Sequence, residues 1–387
     1  MIKKPIITFL LSSLYIFSFA QWVPLNSGTP NYLSSIYFVD DSIGFVGDEY
    51  GYDYKTIDGG LNWSPIGQHG EIVYFLSRDT GFAAKNGINK TNDGGSSWFS
   101  VFITNNFIST IHFPDSVTGY ASAYNQGKDS VFIYKTINNG NSWSEVSNHR
   151  IFIPYENTGL FFTSKDTGYA VADGIRKTTD GGLNWILQDP TGVLNSVYFP
   201  SRDTGYVVAN GMILKTTDGQ NWTTLSNPFP GIILNSIYFL TNEIGYIAGG
   251  NGFNVGTILK TTDGGINWVS NLTTPYHFMS IYFTSTGKGF ACGMGGEIYS
   301  LQNNVSINDI YNEETQIFPN PSNGRFGIKG NYTENLLFQV QIFDLYGTLI
   351  TEGMMNEFDM SGCRNGVYSI RLNWKGKITN KQIVILH

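Results

Sequence analysis

The sequence is poor in charge and in cysteine, and both shortages narrow its possible functions. Only 14% of its 387 residues are charged, and the net charge is −7. Lysine and arginine do not gather into the basic stripe that a protein binding a phosphate backbone needs, so we exclude nucleic acid as a partner. The two cysteines, Cys292 and Cys363, lack the Cys/His spacing of a zinc site, and we expect no metal and no cofactor. Cys292 is predicted to be a small buried strand residue.

Long apolar runs are also missing, apart from one at the very start. Lys3 and Lys4 precede an apolar stretch over residues 6–19, and Ala20 completes a small-x-Ala cleavage site. These are the three parts of a signal peptide. The stretch is too short for a typical membrane anchor and is interrupted by two serines. We therefore predict a signal peptide over residues 1–20, no transmembrane segment and an exported mature chain.

Glycine and aromatic residues, in contrast, are abundant. The chain has 45 glycines, and 15% of its residues are aromatic. Valine, isoleucine, threonine and tyrosine favour strands, and long helix-forming runs are absent. The composition indicates an all-β protein.

One phrase, Thr-x-Asp-Gly-Gly-x-x-Trp, recurs six times with small variations. Its aspartate can accept hydrogen bonds inside a tight turn, its glycines supply positive φ, and its tryptophan packs on a neighbouring sheet. Six equivalent copies imply a structural need, so we interpret the phrase as a staple and not as a catalytic site. The Asp (once Asn) and Trp positions are Asp58 and Trp63, Asp93 and Trp98, Asn138 and Trp143, Asp180 and Trp185, Asp218 and Trp222, and Asp263 and Trp268.

A second phrase, a short Ser-Ile-Tyr-Phe-like strand followed by Gly and Phe or Tyr, occurs seven times. Together the two phrases define units of four short strands, which are typical of propeller blades. The last unit stops after its third strand, whereas residues 21–25 look like the fourth strand that follows each box. We therefore predict a seven-bladed β-propeller over residues 21–303, in which Trp22 joins the last blade and removes an open sheet edge.

The repeated boxes resemble the Asp-box or BNR repeat of sialidases, sortilin-type receptors and xyloglucan-cleaving glycosidases. The longer form, with Gly-Tyr and Lys-Thr before the box, is most similar to photosystem II assembly and stability factor-like propellers. The resemblance implies the fold and carries little information on function, since these proteins differ widely in activity.

A different pattern follows a polar linker over residues 304–312. Residues 313–387 contain Phe318-Pro-Asn-Pro-Ser-Asn-Gly324, a strand-like segment from Arg325 to Ile328, the segment from Val340 to Gly347, and Asn365-Gly-Val-Tyr-Ser-Ile-Arg371. This tail resembles the type A C-terminal sorting domain of the Bacteroidota type IX secretion system, with a small Ig-like β-sandwich fold. The resemblance implies that type IX secretion machinery is a partner, that the tail is removed, and that the protein is released or attached to the outer surface of the outer membrane.

Catalytic patterns are weak. A sialidase needs three clustered arginines that bind a carboxylate. In the predicted propeller only Arg150 lies outside the repeat pattern, so such a cluster is not available and we exclude sialidase activity. A glycoside hydrolase needs two carboxyl groups across a cleft and remains the alternative function. The carboxyl candidates in loops are Asp53, Glu71, Glu145, Glu156 and Asp189.

Function is expected where the units differ, in the loops opposite the boxes. These loops contain aromatic residues beside polar ones, a combination that suits binding to a glycan or to a protein surface. The alternative is that the aromatic rings only cover the central channel of the propeller. We predict a monomeric, non-enzymatic binding module, exported and holding a protein or polysaccharide. The candidate binding residues are Tyr50, Tyr52, Asp53, Tyr124, Arg150, Tyr155, Phe253 and Tyr276.

Overall fold

The computed structural model describes residues 21–127, 129–150, 158–227, 229–252, 255–302, 316–318, 322–323, 325–329, 339–344, 349–354, 357–374 and 377–385. The predicted signal peptide and the predicted linker lie outside these residues. The chain divides into an N-terminal unit that ends at Asn303 and a C-terminal unit that begins at Asn304.

The N-terminal unit consists of seven antiparallel four-stranded sheets, so the predicted seven-bladed propeller is confirmed. The first strands are β2 (Leu33–Phe38), β6 (Ile72–Phe75), β10 (Phe107–His112), β14 (Gly159–Phe162), β18 (Leu194–Tyr198), β22 (Ile233–Phe239) and β26 (Phe278–Phe283). The second strands are β3 (Gly44–Asp48), β7 (Gly81–Ala84), β11 (Gly119–Tyr124), β15 (Gly168–Val171), β19 (Gly205–Ala209), β23 (Gly245–Gly250) and β27 (Gly289–Gly293). The third strands are β4 (Tyr52–Thr56), β8 (Gly87–Thr91), β12 (Ser130–Thr136), β16 (Ile175–Thr178), β20 (Met212–Thr216), β24 (Gly256–Thr261) and β28 (Glu297–Gln302). The fourth strands are β5 (Ser64–Gln68), β9 (Phe99–Ile103), β13 (Ser144–Arg150), β17 (Ile186–Asp189), β21 (Thr223–Leu225), β25 (Val269–Thr274) and, in the seventh blade, β1 (Gln21–Asn26).

Burial follows the position of a strand within its blade. Second strands such as β3, β7 and β19 are buried along their whole length, because each lies between two neighbouring blades. Fourth strands such as β9 and β21 are mostly exposed at the rim. This order explains why the second-strand phrase is built from glycine, alanine and aromatic residues. A short 3-10 turn, Met294–Gly296, joins β27 to β28.

Each box forms the turn between a third and a fourth strand. In the first box, Asp58 Oδ1 accepts from the Thr56 hydroxyl at 2.8 Å and from the Asn62 N–H at 2.9 Å, while Oδ2 accepts from the Asn62 amide at 2.8 Å. The Thr56 hydroxyl oxygen in turn accepts from the Gly60 N–H at 2.9 Å. The turn is therefore closed by its own side chains. In the third box Asn139 takes the place of the first glycine with φ 58°, a left-handed conformation that asparagine tolerates.

The lysine just before each of the first five boxes links neighbouring blades, a role that the repeat alone did not reveal. Lys55 Nζ donates to the Gly94 carbonyl in the next box at 2.7 Å and lies 5.5 Å from the centre of the Phe45 ring. The contact thus combines a charge-assisted hydrogen bond with a cation–π interaction. The lysines that donate to the next box in this way are Lys55, Lys90, Lys135, Lys177 and Lys215.

The ring closes through the N-terminal strand, in the pairing that the sequence predicted. β1 pairs antiparallel with β28, and Trp22 lies opposite Leu301. The Trp22 side chain is only 3% exposed, and its ring meets those of Tyr246 and Phe283 edge-on at 6.3 and 6.2 Å. Its indole N–H donates to Asn271 Oδ1 at 2.9 Å. A residue at the start of the propeller is therefore part of the core of its last blade.

A second contact joins the seventh blade to the first at their turns between first and second strands. The Asp41 carboxylate of the first blade accepts from the hydroxyls of Thr284 and Thr286 in the seventh blade, both at 2.6 Å. Lys288 Nζ donates to the Asp41 carbonyl at 3.2 Å. These hydrogen bonds lower the pKa of Asp41. The seam is held by strand pairing at the rim and by hydrogen bonds at the turns.

The C-terminal unit contains two antiparallel sheets. Its core is formed by apolar side chains such as Val340, Ile342, Ile370 and Ile383, which are fully buried. The first sheet has the strand order β29-β30-β33 and the second has the order β32-β31-β34-β35. Their bounds are β29 (Gln316–Phe318), β30 (Arg325–Lys329), β31 (Gln339–Phe343), β32 (Leu349–Met354), β33 (Glu357–Asp359), β34 (Gly366–Trp374) and β35 (Lys377–Ile385).

Candidate functional site

The propeller has two unlike faces. The box face carries the boxes and the turns between first and second strands. The variable-loop face carries the turns between second and third strands and the connections from one blade to the next. The residues that differ between units lie on the variable-loop face, as in the turn between β3 and β4.

A cavity of about 500 Å³ occupies the centre of the ring between the first strands. Most of its wall is uncharged and consists of hydroxyl, amide and small apolar groups. Its charged lining residues, Glu49, Glu71 and Lys85, belong to loops of the variable-loop face, so the cavity opens there. The polar side chains of the wall are Ser34, Ser35, Ser109, Thr110, Thr158, Asn195, Ser196, Asn235, Ser236 and Ser280.

A collar of seven aromatic side chains lies beneath this cavity, toward the box face. Each first strand contributes one of them, from the tyrosine position of the Ser-Ile-Tyr-Phe phrase. Six of the seven neighbouring pairs are in ring contact, with centroids 4.4 to 5.7 Å apart. None of the seven lines the cavity, which therefore ends above them. The collar residues are Tyr37, Tyr74, His112, Phe161, Tyr198, Tyr238 and Tyr282.

Burial dominates the electrostatics of the collar. It raises the pKa values of Tyr37, Tyr198 and Tyr282 well above the usual range of a phenol. It also lowers the pKa of His112 to about 4. All these side chains are therefore neutral at physiological pH, and the collar is an uncharged floor.

The mouth of the cavity combines one ion pair with a pair of stacked rings. Lys85 Nζ forms an ion pair with the Glu71 carboxylate and donates to the Glu49 carbonyl at 2.8 Å. Tyr124 stacks on Phe107 with their centroids 5.4 Å apart. The predicted site residue Tyr124 thus lies half-buried in the wall of the mouth, where it can contact a ligand that enters the cavity.

Two of the predicted tyrosines are presented by a loop whose shape is fixed. The buried Asp48 carboxylate accepts from the N–H groups of Tyr50 at 3.0 Å and Tyr52 at 2.8 Å. Gln68 donates to the Tyr50 carbonyl at 2.8 Å. The Tyr50 and Tyr52 side chains are 57% and 44% exposed. Both rings are therefore held out to solvent by a rigid turn.

Asp53 is also brought to this region, but it is fully buried and can act only through a histidine. Its Oδ2 accepts from the backbone N–H of His69 at 3.0 Å and contacts His69 Nδ1 at 2.8 Å. Oδ1 has no hydrogen-bond partner within the described ranges. Burial raises the pKa of Asp53 to about 6, although the contact with His69 opposes the shift. The His69 ring stacks on Trp98 with centroids 5.1 Å apart.

Sequence reasoning missed this Asp–His contact. Asp53 and His69 are 16 positions apart and lie on different sides of a box. They meet because β4 and β5 form a hairpin with a bulge next to Asp53. No spacing rule marks such a contact, so the sequence offers no signal for it.

The remaining candidates are scattered. The Tyr276 side chain is 44% exposed. Arg150 ends β13, and Tyr155 and Phe253 lie outside the described residues. Among the carboxyl candidates that the structure describes, only Glu71 lines the central cavity. Asp53 is buried, and Glu145 is exposed on β13. Asp189 accepts a hydrogen bond from the Thr191 N–H. Glu156 lies outside the described residues.

Two further observations concern metals and membranes. Within the described ranges, no three His, Cys, Asp or Glu side chains come together as a metal site. Over the same part of the chain, no helix is long and apolar enough to cross a membrane. Cys292, predicted to be buried, is a fully buried free thiol.

Comparison with known families identifies the tail. Residues 316–386 match the model of the secretion system C-terminal sorting domain. The C-terminal unit is a sorting domain. It implies the involvement of type IX secretion machinery and a location outside the cell or on its outer surface, as the sequence predicted.

Comparison with solved structures supports the propeller fold. YCF48 bound to a D1 peptide matches with a TM-score of 0.59 at 20% identity, over 74% of this chain and 98% of that chain. YCF48 from Cyanidioschyzon merolae matches with a TM-score of 0.57 at 15% identity, over 73% and 99%. An ancestral GH74 enzyme matches with a TM-score of 0.55 at 14% identity, over 94% of this chain and 63% of that chain. No protein with a curated functional description matches the sequence. At these identities the likeness concerns the fold alone.

Proposed function

We propose that this protein is an exported, non-enzymatic binding propeller that holds an extracellular polysaccharide on its variable-loop face. The observation that carries the proposal is the central cavity, which is lined by hydroxyl and amide groups and opens among aromatic side chains. The sequence left protein and polysaccharide open as ligands. A hydroxyl-rich, uncharged wall offers both donors and acceptors, and these suit the hydroxyl groups of a sugar.

The exposed tyrosines support the same ligand class. Tyr50 and Tyr52 are large amphipathic rings that lose little side-chain freedom on binding, because they have only two side-chain torsions. The hydrogen bonds of Asp48 already hold their backbone in place. A preformed surface of this kind lowers the entropic cost of binding.

The arrangement favours binding over hydrolysis. A glycoside hydrolase needs two carboxyl groups on either side of the scissile bond. Glu71 is paired with Lys85, and Asp53 is fully buried and contacts His69. Glu49 also lines the mouth, and this second carboxylate is the observation that favours glycoside hydrolysis as the alternative function.

The sorting domain adds a processing step to the proposal. We propose that the signal peptide, residues 1–20, and the tail, residues 313–387, are both removed, and that the propeller is released or attached at the outer surface. Intact-mass measurement of secreted protein tests this step. Full-length protein that stays inside the cell would contradict it.

A polysaccharide panel with hydrolysis measured in parallel tests the binding function. We expect binding without release of reducing ends, and a loss of binding in Tyr52→Ala. Glu71→Gln is the control for the alternative, because it removes a carboxylate and keeps the shape. Hydrolysis that is abolished by Glu71→Gln would show that the protein is an enzyme.

A further inference from the structure

We propose that the central cavity binds a glycan end-on, by taking in the uncharged terminal sugars of the chain. This inference rests on the proposed function and narrows it to one site and one kind of ligand end. Three features carry it: the cavity opens on the variable-loop face and lies above the collar, its deep wall is neutral, and it is lined by hydroxyl groups that have no hydrogen-bond partner among the described residues.

The shape of the cavity favours a chain end. Its volume of about 500 Å³ is that of a small-molecule site, and the aromatic collar lies at its lower limit. Rings of neighbouring collar residues, such as Tyr37 and Tyr282 at 4.6 Å, are in contact. The collar therefore narrows the ring below the cavity, and the end of a chain is the part of a polymer that the cavity above it best accommodates.

The wall is held rigid by contacts between blades. The Ser35 hydroxyl donates to the Glu71 carbonyl at 2.8 Å, and the Asn195 amide donates to the Leu234 carbonyl at 2.7 Å. Each bond joins one blade to the next. The cavity is therefore formed before any ligand arrives, which reduces the cost of binding.

Other polar groups of the wall remain available. Within the described part of the chain, the hydroxyl groups of Ser34, Ser196 and Ser280 make no hydrogen bond, and all three line the cavity. A hydroxyl can donate one hydrogen bond and accept two. Sugar hydroxyls have the same capacity, so the two sets are chemically matched.

The distribution of charge selects a neutral end. All charged lining residues are at the mouth, where Lys85 is paired with Glu71. A peptide terminus or a uronic acid would carry its charge past this pair into a wall without a counter-ion. Burying an unpaired charge is costly, whereas a neutral sugar meets hydrogen-bonding groups throughout.

Cavity-filling variants test the inference. Ser196→Phe and Ser34→Phe each place a ring in the cavity from a different side, so one remains informative if the other does not fold. Ser285→Phe is the matched control, because Ser285 is exposed in a turn of the box face. Melting temperatures show which variants are folded.

The probes are neutral gluco-, manno-, galacto- and xylo-oligosaccharides coupled through their reducing ends, the same chains ending in a uronic acid, and peptides with free termini. We expect the native protein to bind at least one neutral probe, and the filling variants to bind it about tenfold or more weakly. Ser285→Phe should stay within about twofold of the native protein. The uronic acid version should bind more weakly than the neutral chain.

Each other outcome has a definite meaning. If the native protein binds no glycan, the proposed function and this inference both fail. If it binds glycans and folded filling variants bind equally well, while Tyr52→Ala does not, the face binds but the end-on inference is wrong. Equal or tighter binding of the uronic acid version, or of a peptide terminus, would overturn the argument from charge.

Discussion

The two faces of this propeller are built from the same strands, yet they differ in almost every other respect. On the box face, the same hydrogen bonds recur from blade to blade, as those of Asp58 recur around Asp180 and Asp263. On the variable-loop face, each blade has its own loop, and the polar groups differ. One blade presents Tyr50 and Tyr52, while the next presents the ion pair of Glu71 and Lys85.

The contrast teaches how a repeat protein separates stability from function. A box carboxylate is engaged within its own turn, with Oδ1 and Oδ2 of Asp180 both accepting from Asn184. Such a group has little capacity left for a ligand. The variable loops depart from the repeat, and loops held on a rigid scaffold are where binding residues usually lie. The predictions below separate the faces by stability and by binding.

The largest effect is expected at the seam, where the ring would open. Trp22→Ala should lower the free energy of unfolding by about 3–5 kcal/mol, because it removes a nearly fully buried ring from the seventh blade. Tyr52→Ala is the matched control, an exposed aromatic truncated in the same way, and should change stability by no more than about 0.5 kcal/mol. Urea unfolding of both variants measures the difference. A Trp22→Ala protein as stable as the native one would contradict the closure by β1.

A second prediction concerns Asp53, where the variable-loop face does affect stability. Its pKa is raised from 3.8 to about 6 in the folded protein, so between these values the unfolded state ionises first. Native stability should therefore fall as pH rises through this window, by up to about 3 kcal/mol from this group. Asp53→Asn does not titrate, so its stability relative to the native protein should improve from about pH 4.5 to about pH 7.5.

Asp180→Asn is the control for that pH series. Hydrogen bonds within its box lower the pKa of Asp180 to about 2, so this carboxyl is ionised in both the folded and the unfolded state over most of the same range. The difference in urea midpoint between Asp180→Asn and the native protein should be almost constant. A relative stability of Asp53→Asn that also stays constant would show that Asp53 is ionised normally in the fold.

Some of these features could be predicted from the sequence, and others could not. Seven first strands against six boxes were enough to predict the number of blades and the place of Trp22, because repeats mark local structure. The pairing of Asp53 with His69 depends on a hairpin bulge, and no spacing signals it. The aromatic collar was present in the repeat as a tyrosine position, but only the closed ring brings those residues together. Contacts between blades could not be predicted, because they depend on how one repeat is rotated against the next.

A smaller effect is expected within a single box. Asp180→Ala should lower the melting temperature, because the Asn184 N–H and the Thr178 hydroxyl lose their acceptor. Asp180→Asn should lower it less, since the third box functions with Asn138, whose Oδ1 accepts the same bonds. Thermal unfolding of both variants measures this. Equal destabilisation would show that charge, and not acceptor geometry, holds the turn.

The most direct test of the division between the faces is one binding measurement on three proteins. The native protein, Asp180→Ala and Tyr52→Ala are titrated with the neutral oligosaccharide that the native protein binds best, at a temperature where all three are folded. We expect Asp180→Ala to bind like the native protein despite its lower melting temperature, and Tyr52→Ala to bind more weakly despite an unchanged one. Loss of binding in Asp180→Ala with full binding in Tyr52→Ala would contradict the account, because it would place the ligand on the box face.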